Sequence, residues 1–183
     1  SSHAIVATAA NNGASDQLIE AFAVAAPAMN ILPGTTRAAG FVTAPEGSQL
    51  IVITDVNTTM GTGTLNVVNV GMGNNMPRPL ATGVNVRGSM TSGADITPTI
   101  SKTGNYIAYF TAVTTNTGTL NVIPTAMGGT SVAVATGVQD FDQFSPDGSK
   151  VLYHTRFDAA LNGGDLAQGS STAAMSGMSI ANN

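Results

Sequence analysis

Phe144-Ser145-Pro146-Asp147-Gly148-Ser149-Lys150-Val151-Leu152-Tyr153 is a tight polar turn followed at once by an apolar strand. Pro146 presets φ at the first central turn position, Asp147 can bond its own backbone two residues on, and Gly148 takes the positive φ that other residues resist. Val151, Leu152 and Tyr153 then fit a pleated, half-buried surface. The stretch predicts a β-hairpin with a dedicated turn.

Weaker copies stand upstream. The turn glycine recurs in Ala44-Pro45-Glu46-Gly47 and Ser101-Lys102-Thr103-Gly104, and an apolar strand follows each time: Leu50 to Thr54, Tyr106 to Thr111, Val151 to Thr155. A second anchor is a glycine-rich entry into another strand, Gly63-Thr64-Leu65-Asn66-Val67-Val68 and Gly118-Thr119-Leu120-Asn121-Val122-Ile123. Asp16 to Ile19 and Gly164 to Ala167 are its weaker equivalents. The leucines at its centre, Leu18, Leu65, Leu120 and Leu166, are spaced by 47, 55 and 46 residues. A third anchor pairs Ala81-Thr82-Gly83-Val84 with Ala135-Thr136-Gly137-Val138, and Leu32-Pro33-Gly34 is a looser match.

A unit of about 45 to 55 residues with four short strands and glycine-rich turns predicts an all-β, β-propeller-like fold. About four blades of four antiparallel strands are expected, at residues 1–37, 38–86, 87–138 and 139–183. Sandwiches and stacked β-solenoids are the alternatives for a Thr/Gly/Val-rich chain. The turn and its strand resemble the repeat of TolB-like and WD40-like bacterial propellers, whose core reads Ser-Pro-Asp-Gly before an apolar strand. Ser145 to Gly148 matches that core in full; Ala44 to Gly47 keeps Pro45 and Gly47, and Ser101 to Gly104 keeps Ser101 and Gly104. The resemblance implies a fold and no single activity, since such propellers serve as scaffolds, receptors and lobes of enzymes.

The phase of the repeat adds an expectation about completeness. The turn glycine precedes its leucine by 16 to 18 residues, so counting back from Leu18 places the first turn at the very start, and the first blade lacks its inner strand. Fifteen strands are expected where four blades need sixteen. Exposed sheet edges invite pairing, so the expectation is an incomplete segment of a larger ring, completed by additional blades or by a protein partner; closure of four blades alone is the alternative.

Composition narrows the partners. Charged residues are 9% of the chain and the net charge is −4, which argues against a phosphate-binding surface and hence against nucleic acid. With no cysteine there are no disulfides, thiolate metal sites or thiol redox chemistry. No apolar run reaches the roughly 18 to 20 residues of a spanning helix, so no membrane span is expected. Few Lys and Glu with abundant Thr and Asn point to an exported bacterial protein, periplasmic or extracellular.

The most acidic cluster is Asp140-Phe141-Asp142. On an inner strand, alternate carboxylates point to one side, so Asp140 and Asp142 are candidate Ca²⁺ ligands with carbonyl oxygens; ordinary turn hydrogen bonding is the alternative, and no other cofactor is expected. Only His3 and His154 offer imidazole chemistry, and no Gly-x-Ser-x-Gly elbow occurs, so no catalytic residue is assigned. Met72 with Met76 and Met175 with Met178 are close pairs that fit packing better than soft-metal binding. Asn57 and Thr58 occupy the same predicted loop as Thr115 and Asn116 in the next blade; with Asn162 they form candidate partner-contact loops. Arg87 opens a longer insertion reaching Asp95, a partner contact or flap.

The expected function is a noncatalytic propeller module that holds partners by rim loops and sheet edges. The alternative is the propeller lobe of a larger secreted enzyme or redox assembly whose active groups lie elsewhere; a Ca²⁺-dependent carbohydrate binder is a third reading.

Overall fold

A computed structural model describes residues 3–8, 17–22, 29–33, 36, 38–57, 59–70, 76–85, 98–158 and 163–181. The strands are β1 (His3–Thr8), β2 (Gln17–Phe22), β3 (Met29–Asn30), β4 (Gly40–Thr43), β5 (Gln49–Asn57), β6 (Thr62–Asn69), β7 (Arg78–Asn85) and β8 (Thr99–Ile100). They continue with β9 (Tyr106–Thr111), β10 (Gly118–Pro124), β11 (Val132–Val138), β12 (Asp140–Phe144), β13 (Lys150–Asp158), β14 (Gly163–Ser170) and β15 (Met178–Ala181). Among the described residues these fifteen strands form one three-stranded sheet, β1-β2-β3, and three four-stranded sheets, β4-β5-β6-β7, β8-β9-β10-β11 and β12-β13-β14-β15. The pairing between sequential strands is antiparallel, as short turns between strands require.

The chain divides into two compact units, Ser1–Thr82 and Gly83–Asn183. In the first, Ile31, Leu32 and Ala38 pack on Leu50, Val52 and Val68 of β5 and β6. Leu32 therefore follows β3 and supplies core, and Gly34 of the looser third anchor lies outside the described residues.

The repeated turn is the same object three times. The residue that opens it donates its N–H to the carbonyl five positions on: Ala44 to Gln49 (2.9 Å), Ser101 to Tyr106 (2.8 Å), Ser145 to Lys150 (2.9 Å). The glycine N–H returns to the opening carbonyl at 2.8 to 2.9 Å, with φ of +71° at Gly47, +74° at Gly104 and +76° at Gly148. Glycine adopts that conformation without the Cβ penalty that an L residue carries. Where serine opens the turn, its hydroxyl also accepts the second strand's first N–H, from Tyr106 at 3.1 Å and from Lys150 at 3.0 Å. The third strand then latches the turn. Thr125 and Ser171 donate their hydroxyls to the carbonyls of Gly104 (2.8 Å) and Gly148 (2.7 Å).

Polar packing repeats as well. Asn66 donates to the Thr54 hydroxyl and the Thr64 carbonyl at 2.9 and 2.8 Å, and Asn121 to the Thr111 hydroxyl and the Thr119 carbonyl at 2.9 and 3.0 Å. Buried amides persist only with such partners, so the Thr-Leu-Asn anchor carries its own satisfaction.

In the second unit, β12–β15 lies against β8–β11. Val151, Tyr153 and Ala167 join Ala108, Phe110, Leu120, Val122, Val134 and Val138 in one buried cluster. The approach is close: a methyl group at Gly169 would fall 2.2 Å from Val134 Cγ1 of β11. The Met175 N–H donates to the Ala133 carbonyl at 2.9 Å, tying the β14–β15 connection to β11.

Candidate functional site

Side chains alternate across a strand, so β13 and β14 present two faces. Val151, Tyr153 and Ala167 are buried toward β8–β11. Leu152, His154, Leu166 and Gln168 lie on the other face and remain partly exposed, with Lys150 exposed beside them. Cross-strand register sets Leu152 opposite Gln168 and His154 opposite Leu166.

The repeat shows what this outer face replaces. Superposing the turns places Lys150, Leu152 and His154 where Tyr106, Ala108 and Phe110 stand; Leu166 and Gln168 take the places of Leu120 and Val122. Ala108, Phe110, Leu120 and Val122 are all buried under the following sheet. On the last sheet the same positions carry an ammonium, an imidazole and an amide among two leucines. The His154 Nδ1 atom is buried with no hydrogen-bond partner among the described residues. Met178 of β15, opposite Gln168 and 61% exposed, extends the apolar area.

The turn at the head of this sheet is electrostatically set. Asp147 accepts from the Ser145 hydroxyl at 2.6 Å, the Ser149 N–H at 3.1 Å and the Ser149 hydroxyl at 2.8 Å. These bonds, the Ser145 one first, favour the ionised form and hold the carboxyl at about 2. Burial pushes Tyr109 and Tyr153 up; for Tyr109 a 2.6 Å bond with Ser131 opposes the shift.

The acidic pair of β12 differs from the expected alternation. Asp140 sits opposite His154, Phe141 opposite Tyr153 and Gln143 opposite Leu152, which leaves Asp142 as the extra residue of a β-bulge. A bulge breaks the period of two on which a shared carboxylate side depended. Among the described residues no three His, Cys, Asp or Glu side chains gather as a metal-binding group.

Of the loop residues, Asn57 spends its side-chain carbonyl on its own loop, accepting from Thr59 and Met60 N–H groups at 3.0 Å each. Thr115 and Asn116 are exposed at the tip of the β9–β10 connection, closed by the Thr114 N–H on the Thr117 carbonyl at 2.8 Å. Thr58, Arg87, Asn162 and Met72 lie outside the described residues. Met76, Met175 and Met178 are exposed. Sequence reading missed Leu152, Leu166 and Gln168; aligning the hairpins by their turns exposes the exchange of Phe110 for His154 and Val122 for Gln168.

No helix among the described residues is long and apolar enough to cross a membrane. No protein-family model matches the chain, and no curated protein matches it. Among solved structures it is similar to a eukaryotic initiation factor, with a TM-score of 0.54 at 13% identity over 91% of this chain and 37% of that one. It is also similar to a Bacteroides uniformis protein given the name 6-phosphogluconolactonase, with a TM-score of 0.47 at 12% identity over 93% of this chain and 49% of that one. The chain thus spans less than half the length of either structure, and the likeness bears on the fold alone.

Proposed function

We propose that the four sheets are successive blades of a β-propeller-like segment of a larger ring, and that the chain is a noncatalytic interaction and scaffold module of an exported bacterial protein. In this reading the outer face of β12–β15 receives a further β-sheet, supplied by a protein partner or additional blades. The observation that carries it is the exchange at equivalent positions: the face that β8–β11 buries is only partly buried on β12–β15. Leucines mixed with Lys150, His154 and Gln168 have the composition of a separable interface, which is more polar than a domain core.

The test is the assembly mass of the full chain, by native mass spectrometry and sedimentation. The expected result is a mass above the 18.3 kDa of one chain, falling to one chain in Leu152→Glu and Leu166→Glu. A central apolar contact contributes about 2 kcal/mol, so each substitution should weaken assembly about thirtyfold. A wild-type chain that sediments as one 18.3 kDa species at every concentration and whose structure closes on itself with no missing strand would overturn the proposal.

A further inference from the structure

The chain contains two lysines, Lys102 and Lys150, and both line a single cleft of about 500 Å³ in the second unit. Lys102 comes from the turn after β8 and Lys150 from the start of β13. Forty-eight positions separate them along the chain, and the packing of the two sheets brings them to one opening. Both are exposed, and among the described residues neither ammonium group has an ion-pair partner. In a chain of net charge −4 this is a local concentration of positive charge.

The floor is apolar. Ile100, Phe144 and Leu152 line it, each partly exposed, and Phe144 is held edge-on to Phe141 with ring centroids 5.4 Å apart. The side chains of Gln143 and Gln168 add hydrogen-bonding groups to the wall. Asp142, the bulge residue, contributes one carboxylate. Two ammonium groups against one carboxylate leave the lining net positive by a single charge. An apolar cleft of roughly 300 to 1,000 Å³ with a few convergent polar groups is the usual form of a small-molecule site.

We propose that this cleft binds a small organic monoanion with an apolar body, such as an aryl-substituted short-chain carboxylate. The carboxylate meets Lys102 and Lys150, whose flexible stems let both heads reach one group, and the body lies on Ile100, Phe144 and Leu152. Asp142 sets the limit of one negative charge, because a second would stand against it. Every wall comes from residues between Thr99 and Gln168, so the site is complete within one unit; Lys150, Leu152 and Gln168 also belong to the outer face of β12–β15, so a ligand in the cleft and a sheet docked on that face compete for the same residues.

The test is a titration of the full, ¹⁵N-labelled chain with 3-phenylpropionate and with its neutral amide, at millimolar concentrations, followed by backbone shifts. Saturable shifts at Ile100, Lys102, Gln143, Leu152 and Gln168 are expected with the carboxylate, and at least about tenfold weaker binding with the amide, since a hydrogen bond to a charged group contributes about 1.5 to 3 kcal/mol. Raising salt should weaken the carboxylate alone. In the Lys102→Gln/Lys150→Gln chain, whose exposed replacements leave the fold intact, the preference should vanish. Equal binding of the amide, shifts elsewhere, a preference that survives in the double variant, or no saturation would each overturn the proposal.

Discussion

Packing of β12–β15 on β8–β11 is tested most directly at Gly169. Replacing it with alanine adds a methyl group 2.2 Å from Val134 Cγ1, inside van der Waals contact, and Val134 is fully buried. Overpacking of this kind costs about 1 to 3 kcal/mol. Val134→Ala removes two buried methyl groups and loses about 2 kcal/mol, at about 0.8 kcal/mol per group with a cavity contribution. If the two residues did not touch, the double variant would lose about 4 kcal/mol. Because the new methyl fills space vacated by valine, the double variant should lose only about 1 to 2 kcal/mol, a coupling of at least about 1 kcal/mol. The chain supplies a selective reporter: its three tyrosines, Tyr106, Tyr109 and Tyr153, all lie in the second unit and there is no tryptophan. Urea unfolding followed by tyrosine fluorescence therefore reads that unit. Additive losses, or a neutral Gly169→Ala, would refute the face-to-face packing.

Two further outcomes follow from the repeated turn. Asp147 is held at about 2 against an ordinary 3.8, so it stabilises the fold above the unfolded value, and that contribution disappears as the pH falls from about 4 to about 2. A carboxyl ¹³C titration should give a midpoint near 2 for Asp147, and Asp147→Asn should flatten the stability profile over that window. Gly148→Ala should destabilise more than Gly47→Ala in urea unfolding. Both meet a positive φ costing about 1 to 2 kcal/mol, but only the Gly148 methyl would also press within 3.2 Å of Thr103 Oγ1 and Tyr106 Cδ2.

What the sequence determined by itself was the local grammar. Ser145-Pro146-Asp147-Gly148 specifies its turn through fixed φ, a side-chain acceptor and a positive-φ glycine. Tyr106 to Thr111 specifies a strand by its β-branched and aromatic residues, and both emerge where expected because their causes lie within a few residues. The three four-stranded antiparallel sheets among the described residues follow the spacing of such anchors. Legibility failed where the cause was non-local. The bulge at Asp142 depends on register with β13, so strict alternation read from the chain does not describe β12. Gly169 looks like a strand-weakening glycine until Val134 of a second sheet arrives on top of it. Leu152 stands in the repeat where Ala108 does, yet Ala108 is buried and Leu152 only partly so, because burial belongs to the neighbouring sheet. Lys102 and Lys150 become one site only through that same stacking, which brings together turns nearly a whole repeat apart.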